Sequence, residues 1–325
     1  MKNILIFKTD KLGDFINISP IIINIKKKYP NSEITLICSN YNYPIAKYYS
    51  NDVKLLIFKK PILFFLLKNF SMLLLKKYDL LLQLDGKSSS YFSSVFIRSK
   101  IKACIKFVKK KNFLGKNIYI NRPNSLYNFL FNLFEISDED YNLINNSKFH
   151  YLSLYFNLLK RLNIPIINKK HYLSFNPLKN ISKFDGDYYL FQIDQRWEQF
   201  NSDIIKNLIK KILFLSIDSK IVITSNVGSN QVFYKLKDDL SNNSSIELIN
   251  GPNINETLSL IYYSRTCVSS HSGLIVHSAA AFKKNIIDLV HPNIFNELDR
   301  WIPFETNYKR FDINNFINSE FNFKY

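Results

Sequence analysis

The sequence predicts an α/β protein made of two doubly wound parallel sheets in tandem, with a cleft between them. Three observations carry this expectation. Short β-branched or apolar runs alternate with longer stretches of helical period, the pattern of βαβ units. The alternation occurs twice, and a stretch rich in Asn and Lys with weak periodicity separates the two series. At 325 residues and 46% hydrophobic content, the chain is long enough to bury two cores of ordinary size.

The first series opens with a strand at 3–7, where Ile4, Leu5, Ile6 and Phe7 form an unbroken apolar run. A helix is expected at 20–29, because the apolar positions 21, 22, 25 and 29 share one face. Ser19 is its expected cap, with Pro20 at the first helical position. Strands follow at 33–38, 54–58, 79–84 and 102–107. The second series reads as strand 187–193, helix 202–215 capped by Ser202, strand 220–225, helix 229–240 and strand 246–249. Helix 255–264, strand 266–269, helix 273–282 and strand 285–290 complete it. Residues 1–165 are thus expected to form an N-terminal domain and 187–325 a C-terminal one. The linker is 166–186, "IINKKHYLSFNPLKNISKFDG".

Basic residues outnumber acidic ones, 44 to 26, for a net charge of +18. Such an excess points to an anionic partner: a nucleic acid, a membrane surface or a phosphorylated substrate. A compositional bias toward Lys, Asn, Ile and Phe would produce the same excess without function. No nucleic-acid motif accompanies the charge, so nucleic acid is not expected as a partner. The apolar stretch 61–84 is broken by Lys68, Asn69, Lys76, Lys77 and Asp79 and lacks the roughly 20 apolar residues of a spanning helix. Its first part, 61–75, joined to the basic excess, raises the expectation of docking on an anionic membrane. Cys38, Cys104 and Cys267 are dispersed and odd in number, which fits a reducing cytoplasm and neither a disulfide framework nor a zinc site. The N-terminal run before Lys8 and Asp10 is too short for a secretory signal.

The usual cofactor signatures are missing. There is no G-x-G-x-x-G after the first strand, no G-x-x-x-x-G-K-[ST] and no G-x-S-x-G. The histidines are scattered, and neither a metal nor another cofactor is expected. Two stretches carry chemistry instead. The first, "KTDKLGDFINISP" (8–20), leaves the first strand at its carboxyl end, where ligands of such folds collect. The second, "CVSSHSGLIVHSAAAFKKNIIDLV" (267–290), reads as strand, Ser/His/Gly loop, small-residue helix and strand. Backbone N–H groups at such a helix start admit a phosphate. An ordinary β-turn-α junction with a serine cap has the same spacing.

Together these stretches resemble glycosyltransferase family 9, the heptosyltransferase-like family of lipopolysaccharide assembly. Its opening segment R-x-[SD]-x-[LI]-G-D-x-[VI]-x-x-x-P is matched from Lys8 through Gly13 and Asp14 to Pro20. Its D-L-Q-G loop has a counterpart in "LLQLDGKSSS", with Asp85, Gly86 and Lys87. Its K-R-W-P segment is similar to "DQRWEQF", with Gln195, Arg196 and Trp197. Its donor loop S-N-D-[TS]-G-x-x-H-x-A-A is similar to "SSHSGLIVHSAA", and "RWIP" (300–303) resembles its tail. The motifs occur in the family's order along nearly the whole chain. Three departures stand out. Gln195 replaces the family's lysine, His271 replaces its aspartate, and His277 follows Gly273 by four residues rather than three.

The resemblance implies a GT-B-like fold of two Rossmann-like domains, with the acceptor on the N-terminal side and a nucleoside-diphosphate sugar on the C-terminal side. It implies an inverting, metal-independent glycosyl transfer to a lipopolysaccharide or other surface glycan. ADP-heptose is among the donors, and the acceptor is lipid-linked. The enzyme would be cytoplasmic, at the inner face of the inner membrane. Asp14 takes the role of general base, with Gly13 letting its loop turn. Gln195, Arg196, Ser270, His271, Ser272, Gly273 and His277 fall on the donor side. Lys8, Lys11, Gly13, Asp85, Gly86 and Lys87 fall on the acceptor side. Each residue also has a plainer reading. Asp14 would cap the coming helix, Lys8 and Lys11 would face solvent, and Asp85-Gly86-Lys87 would be a turn. His271 and His277 would cap or pack, and Trp197 would be core. The alternatives to a transferase are a nucleotide-sugar epimerase of the same fold and a non-catalytic nucleotide-sugar or glycan-binding module.

Overall fold

The computed structural model describes residues 1–113, 116–122, 130–138, 150–215, 217–226, 231–295 and 297–318. They form two compact units. One comprises Met1–Lys169 with Asp299–Trp301, the other Lys170–Leu298 with Ile302–Tyr325.

The first unit is built on β1 (Asn3–Phe7), β2 (Glu33–Ser39), β3 (Lys54–Phe58), β4 (Tyr78–Gln83) and β5 (Ser99–Phe113), with β6 (Lys116–Arg122) and β7 (Leu133–Asp138). The sheet order is β3-β2-β1-β4-β5-β6, and β7 also pairs with β5. All pairings are parallel except the hairpin of β5 with β6. Ile4 to Phe7 are wholly buried, as expected of a central parallel strand covered on both faces. The helices are α1 (Leu12–Ile16), α2 (Ser19–Lys28), α3 (Tyr43–Ala46), α4 (Ile62–Lys68), α5 (Ser88–Phe96) and α6 (Tyr151–Arg161). Ser19 does not cap α2. It lies inside the helix and its hydroxyl donates to the Ile16 carbonyl at 2.9 Å, because the chain is already helical at Ile18. Helix α6 ends in a left-handed residue, Asn163 (φ 57°), with the Ile164 N–H closing back on the Leu159 carbonyl.

The second unit contains β8 (Tyr188–Ile193), β9 (Lys220–Ser225), β10 (Ile246–Ile249), β11 (Thr266–Ser269), β12 (Asn285–Val290) and β13 (Tyr308–Asp312). The order β10-β9-β8-β11-β12-β13 is parallel throughout, the Rossmann arrangement. Alternate residues of β8 feed two cores. Tyr189, Phe191 and Ile193 face one, and Tyr188 and Leu190 face the other. The helices are α7 (Ser202–Leu215), α8 (Gln231–Leu240), α9 (Ile254–Tyr263), α10 (Gly273–Ala281) and α11 (Ile313–Asn318). The expected start of α8 at 229 lies outside the described residues. At α7 the side chain that accepts from a first-turn N–H is Asn201, which receives Ile204 N–H at 2.9 Å. The chain enters β8 through Gly186 at φ 94°, where a Cβ would meet the Tyr263 carbonyl at 3.3 Å.

Both sheets reverse strand order beside their first strand, between β1 and β4 and between β8 and β11. In open α/β sheets this is where ligands bind. The loops "KTDKLGD" and "DQRWEQ" and the Ser/His/Gly loop all leave strands at these two points.

Candidate active site

Beyond β1 the chain is tied down by buried polar groups. Lys8 is 1% exposed, and its ammonium donates to Asp10 Oδ2 at 2.6 Å, the Tyr155 hydroxyl at 2.7 Å and the Leu84 carbonyl at 3.3 Å. Burial alone would lower the Lys8 pKa. Asp10, Tyr155 and Asp14 outweigh it, so the amine is held above its ordinary range. Burial pushes the Asp10 carboxyl up; Lys8 pulls against it, and Asp14 and Asp85 add to the rise. Asn42, just before α3, clamps the same loop, donating to the carbonyls of Lys8 and Asp10.

Asp85 is fully buried at the end of β4. Its Oδ2 accepts from Thr9 N–H at 2.9 Å, the Thr9 hydroxyl at 2.6 Å and Ser90 at 3.1 Å. Its Oδ1 accepts from Gln83 at 2.8 Å and Lys87 N–H at 3.2 Å. A carboxylate so completely engaged braces the loop and has no capacity left for an acceptor. Lys87 points its ammonium at the Thr9 carbonyl, Gly86 is half-buried, and Lys11 is exposed.

Asp14 differs from its neighbours. It sits in the first turn of α1, half-buried, and its side chain makes no hydrogen bond among the described residues. Neither α1 nor α2 has a side-chain cap. Gly13 lies inside α1 and is not among the positive-φ residues, so the expectation that it frees a turn is corrected. The chain turns by entering a short helix, and Gly13 is buried within it.

In the second unit, Asp194 follows β8 and caps a 3-10 turn over Gln195–Gln199, accepting from Arg196 N–H at 2.9 Å. Arg196 Nη1 donates to the Ser270 carbonyl at 2.9 Å and to that of His271. Its Nε lies 3.7 Å from Asp194 Oδ2, and its Nη2 has no partner among the described residues. Burial raises the Asp194 pKa against the pull of Arg196. Trp197 is buried in the core, donating its indole N–H to the Gln192 carbonyl at 3.0 Å, and Gln195 is exposed.

His271 adopts φ 54°, and its Nδ1 lies 2.5 Å from Asp288 Oδ2. Asp288 is fully buried in β12 and also accepts from Ser269, His271 N–H and the Tyr308 hydroxyl. Burial works to raise its pKa, but the His271 ring and these hydrogen bonds prevail and hold the carboxyl below its usual range. Ser272 precedes α10 without a capping bond, leaving the first-turn N–H groups of that helix open beside Gly273. The Ser270 hydroxyl is buried with no hydrogen-bond partner among the described residues. His277 lies on α10, buried, its ring stacked on His171 at 5.1 Å.

No family model matches the sequence, and no curated protein matches it either. Solved structures do match the fold. A glycosyltransferase family 9 protein from Veillonella parvula superimposes with a TM-score of 0.71 at 13% identity, covering 96% of this chain and 87% of its own. The heptosyltransferase WaaC of E. coli, solved with ADP, gives 0.67 at 15% identity, covering 97% and 95%. The chain has the fold of a family 9 glycosyltransferase. Its two Rossmann-like sheets are those of the GT-B architecture that the motifs predicted. A UDP-GlcNAc 2-epimerase from Methanocaldococcus jannaschii is less similar, at 0.54 and 16% identity over 99% and 94%.

The structure gathers Lys8, Asp10, Thr9 and Asp85 around the switch point of the first sheet. It gathers Arg196, Ser270, His271 and Ser272 around that of the second. Sequence reading missed Tyr155, Asn42, Asp194, Asp288 and Tyr308. Asp288 had one available signal: an acid within the apolar strand "NIIDLV" must find partners once buried. Tyr155 had none, because a tyrosine on an apolar helix face reads as core.

Proposed function

We propose that this chain is an inverting glycosyltransferase that moves a sugar, heptose among the candidates, from a nucleoside diphosphate to an acceptor hydroxyl. The observation that carries the reading is Asp14, a half-buried carboxylate with no hydrogen bond among the described residues, beside a tightly braced loop at a sheet's switch point. Such a group is disposed to accept a proton. As the acceptor oxygen bonds to the anomeric carbon, its proton passes to Asp14. The bond from that carbon to the diphosphate breaks, and its electron pair leaves on the phosphate oxygen. Arg196 Nη2 and the open N–H groups of α10 are the groups to receive that charge. Fold likeness to a heptosyltransferase solved with ADP supports a nucleoside-diphosphate sugar as donor. The acceptor proposed is a lipid-linked surface glycan on the cytoplasmic side of a bacterial membrane. In this reading the first unit serves the acceptor and the second the donor.

The test is transfer itself. Purified protein is offered a panel of nucleoside-diphosphate sugars with delipidated and intact glycolipid acceptors, and product is read by mass spectrometry. Transfer by the parent and its loss in Asp14→Asn are expected. Donor binding without transfer would make the chain a binding module, and conversion of free nucleotide-sugar without acceptor would make it an epimerase.

A further inference from the structure

One face of the first unit is apolar, exposed and cationic at its margin. Helix α4 begins after Pro61 and continues into a single π-helical turn over Ser71–Leu75. Phe65, Leu66 and Leu73 point into the core beneath. The outward stripe is Leu63, Phe64, Leu67 and Phe70, exposed by 66%, 61%, 56% and 46%, followed by Leu75 at 61%. Positions 63, 64, 67 and 70 fall on one side of a helix, so a second apolar face lies opposite the one already buried. Helix α5 packs beside α4 and exposes Phe92 and Phe96, whose rings contact edge to face at 5.2 Å. Large apolar groups clustered on a surface mark an interaction site.

The charge around this face selects the partner. Between Asp52 and Asp79 the sequence contains Lys54, Lys59, Lys60, Lys68, Lys76 and Lys77 and no acidic residue. Lys59, Lys60, Lys68 and Lys77 are exposed beside the stripe. A second copy of the chain meeting this face would set lysines against lysines. A bilayer with anionic headgroups complements both features, taking the apolar side chains to the acyl boundary and the ammonium groups to phosphate level. Among the described residues no helix is long and apolar enough to cross a membrane. A short helix with an apolar outer face and lysine flanks is suited to lie in the interface.

We propose that the α4 to Leu75 segment, with Phe92 and Phe96, is an interfacial docking surface for an anionic lipid bilayer. The proposal concerns the surface alone and stands whether or not the chain transfers a sugar.

Flotation with phosphatidylcholine vesicles, with and without phosphatidylglycerol, tests it. The full chain should float with the anionic vesicles and release as salt rises, since headgroup attraction decays within a Debye length. Each lysine near such a surface contributes about fivefold to partitioning, so Lys59→Gln with Lys60→Gln should weaken binding by about 25-fold. Phe64→Ser with Leu67→Ser should weaken it by at least about tenfold. Both residues are already in solvent, so circular dichroism and the unfolding midpoint should match the parent. Phe214→Ser with Ile217→Ser, exposed apolar positions of the second unit, should leave flotation unchanged. No flotation, flotation independent of phosphatidylglycerol, or unaltered flotation of the Phe64/Leu67 variant would overturn the proposal. So would a parent that self-associates through this face, shown by sedimentation with loss in that same variant.

Discussion

A carboxylate that merely caps a helix leaves a signature, an oxygen accepting from an N–H two or three residues further on. Asp194 shows it, and Asp14 does not. The two readings of Asp14 therefore separate by substitution. Asp14→Asn and Asp14→Ala should both keep the parent's stability within about 0.5 kcal/mol, as expected of a side chain without a hydrogen bond among the described residues. Turnover should fall by about 10²–10⁴-fold in each, with donor affinity unchanged. Transfer by Asp14→Asn within a few-fold of parent would end the assignment. Arg196→Ala should act the other way, weakening nucleoside-diphosphate binding in calorimetry by about 1.5–3 kcal/mol through loss of a charge-assisted bond. The sequence singled out both residues through their match to the family's motifs, and the structure places each shortly after a strand that borders a switch point. Asp85 came from the same motif comparison, which carries no information about its partners. Only the structure shows that five donors occupy it.

At the scale of single elements, the parallel strands were the most legible part, because each is a compact apolar run bounded by polar turns. Strand β13 was not, since "YKRFD" carries lysine and arginine on an edge that, among the described residues, pairs only with β12. Edge strands commonly carry such charges, which erase the apolar signal. Helix α6 has an unusual cap: His150 Nδ1 accepts Leu152 N–H at 3.2 Å, which no serine or aspartate announced. Edge strand β13 nevertheless shapes the candidate site, because Tyr308 donates to Asp288 at 2.7 Å. With a folded pKa below its ordinary value, Asp288 contributes stability fully present above about pH 3.9 and lost as pH falls through the folded value. Removing the ring in His271→Ala leaves burial less opposed, so the Asp288 pKa should rise. Acid unfolding, followed by urea midpoint against pH, should then begin at higher pH than in the parent. An unchanged acid limb would mean that the other donors suffice. The 3-10 turn after β8 rests on Trp197, wholly buried with its N–H bonded to Gln192. Trp197→Ala should cost about 3–5 kcal/mol of stability, measured by denaturant unfolding. That side chain is core, and its place in the motif reflects the turn it anchors beside Arg196.

Across the whole molecule, the repeated doubly wound pattern was readable because two cores of this size need two runs of alternating elements. What each unit binds is a separate matter, and it has its own measurement. A ligand held only by the folded state stabilises by RT ln(1 + [L]/Kd), about 2.7 kcal/mol at a hundred times Kd. If the second unit holds the nucleoside diphosphate, ADP or its donor-specific counterpart should slow amide exchange there. Protection should concentrate in the turn Gln195–Gln199 and in the first turn of α10, where Arg196 and the uncapped N–H groups lie. The loop from Lys8 to Asp14 should exchange as before, because its tight bonds to Asp85, Asn42 and Tyr155 exist without ligand. The protection should disappear in Arg196→Ala and persist in Asp14→Asn, since one substitution removes a phosphate contact and the other only the proton acceptor. Equal protection of both loops in the parent would place the nucleotide against the first unit as well. Protection confined to the Lys8 loop would exchange the roles assigned to the two units.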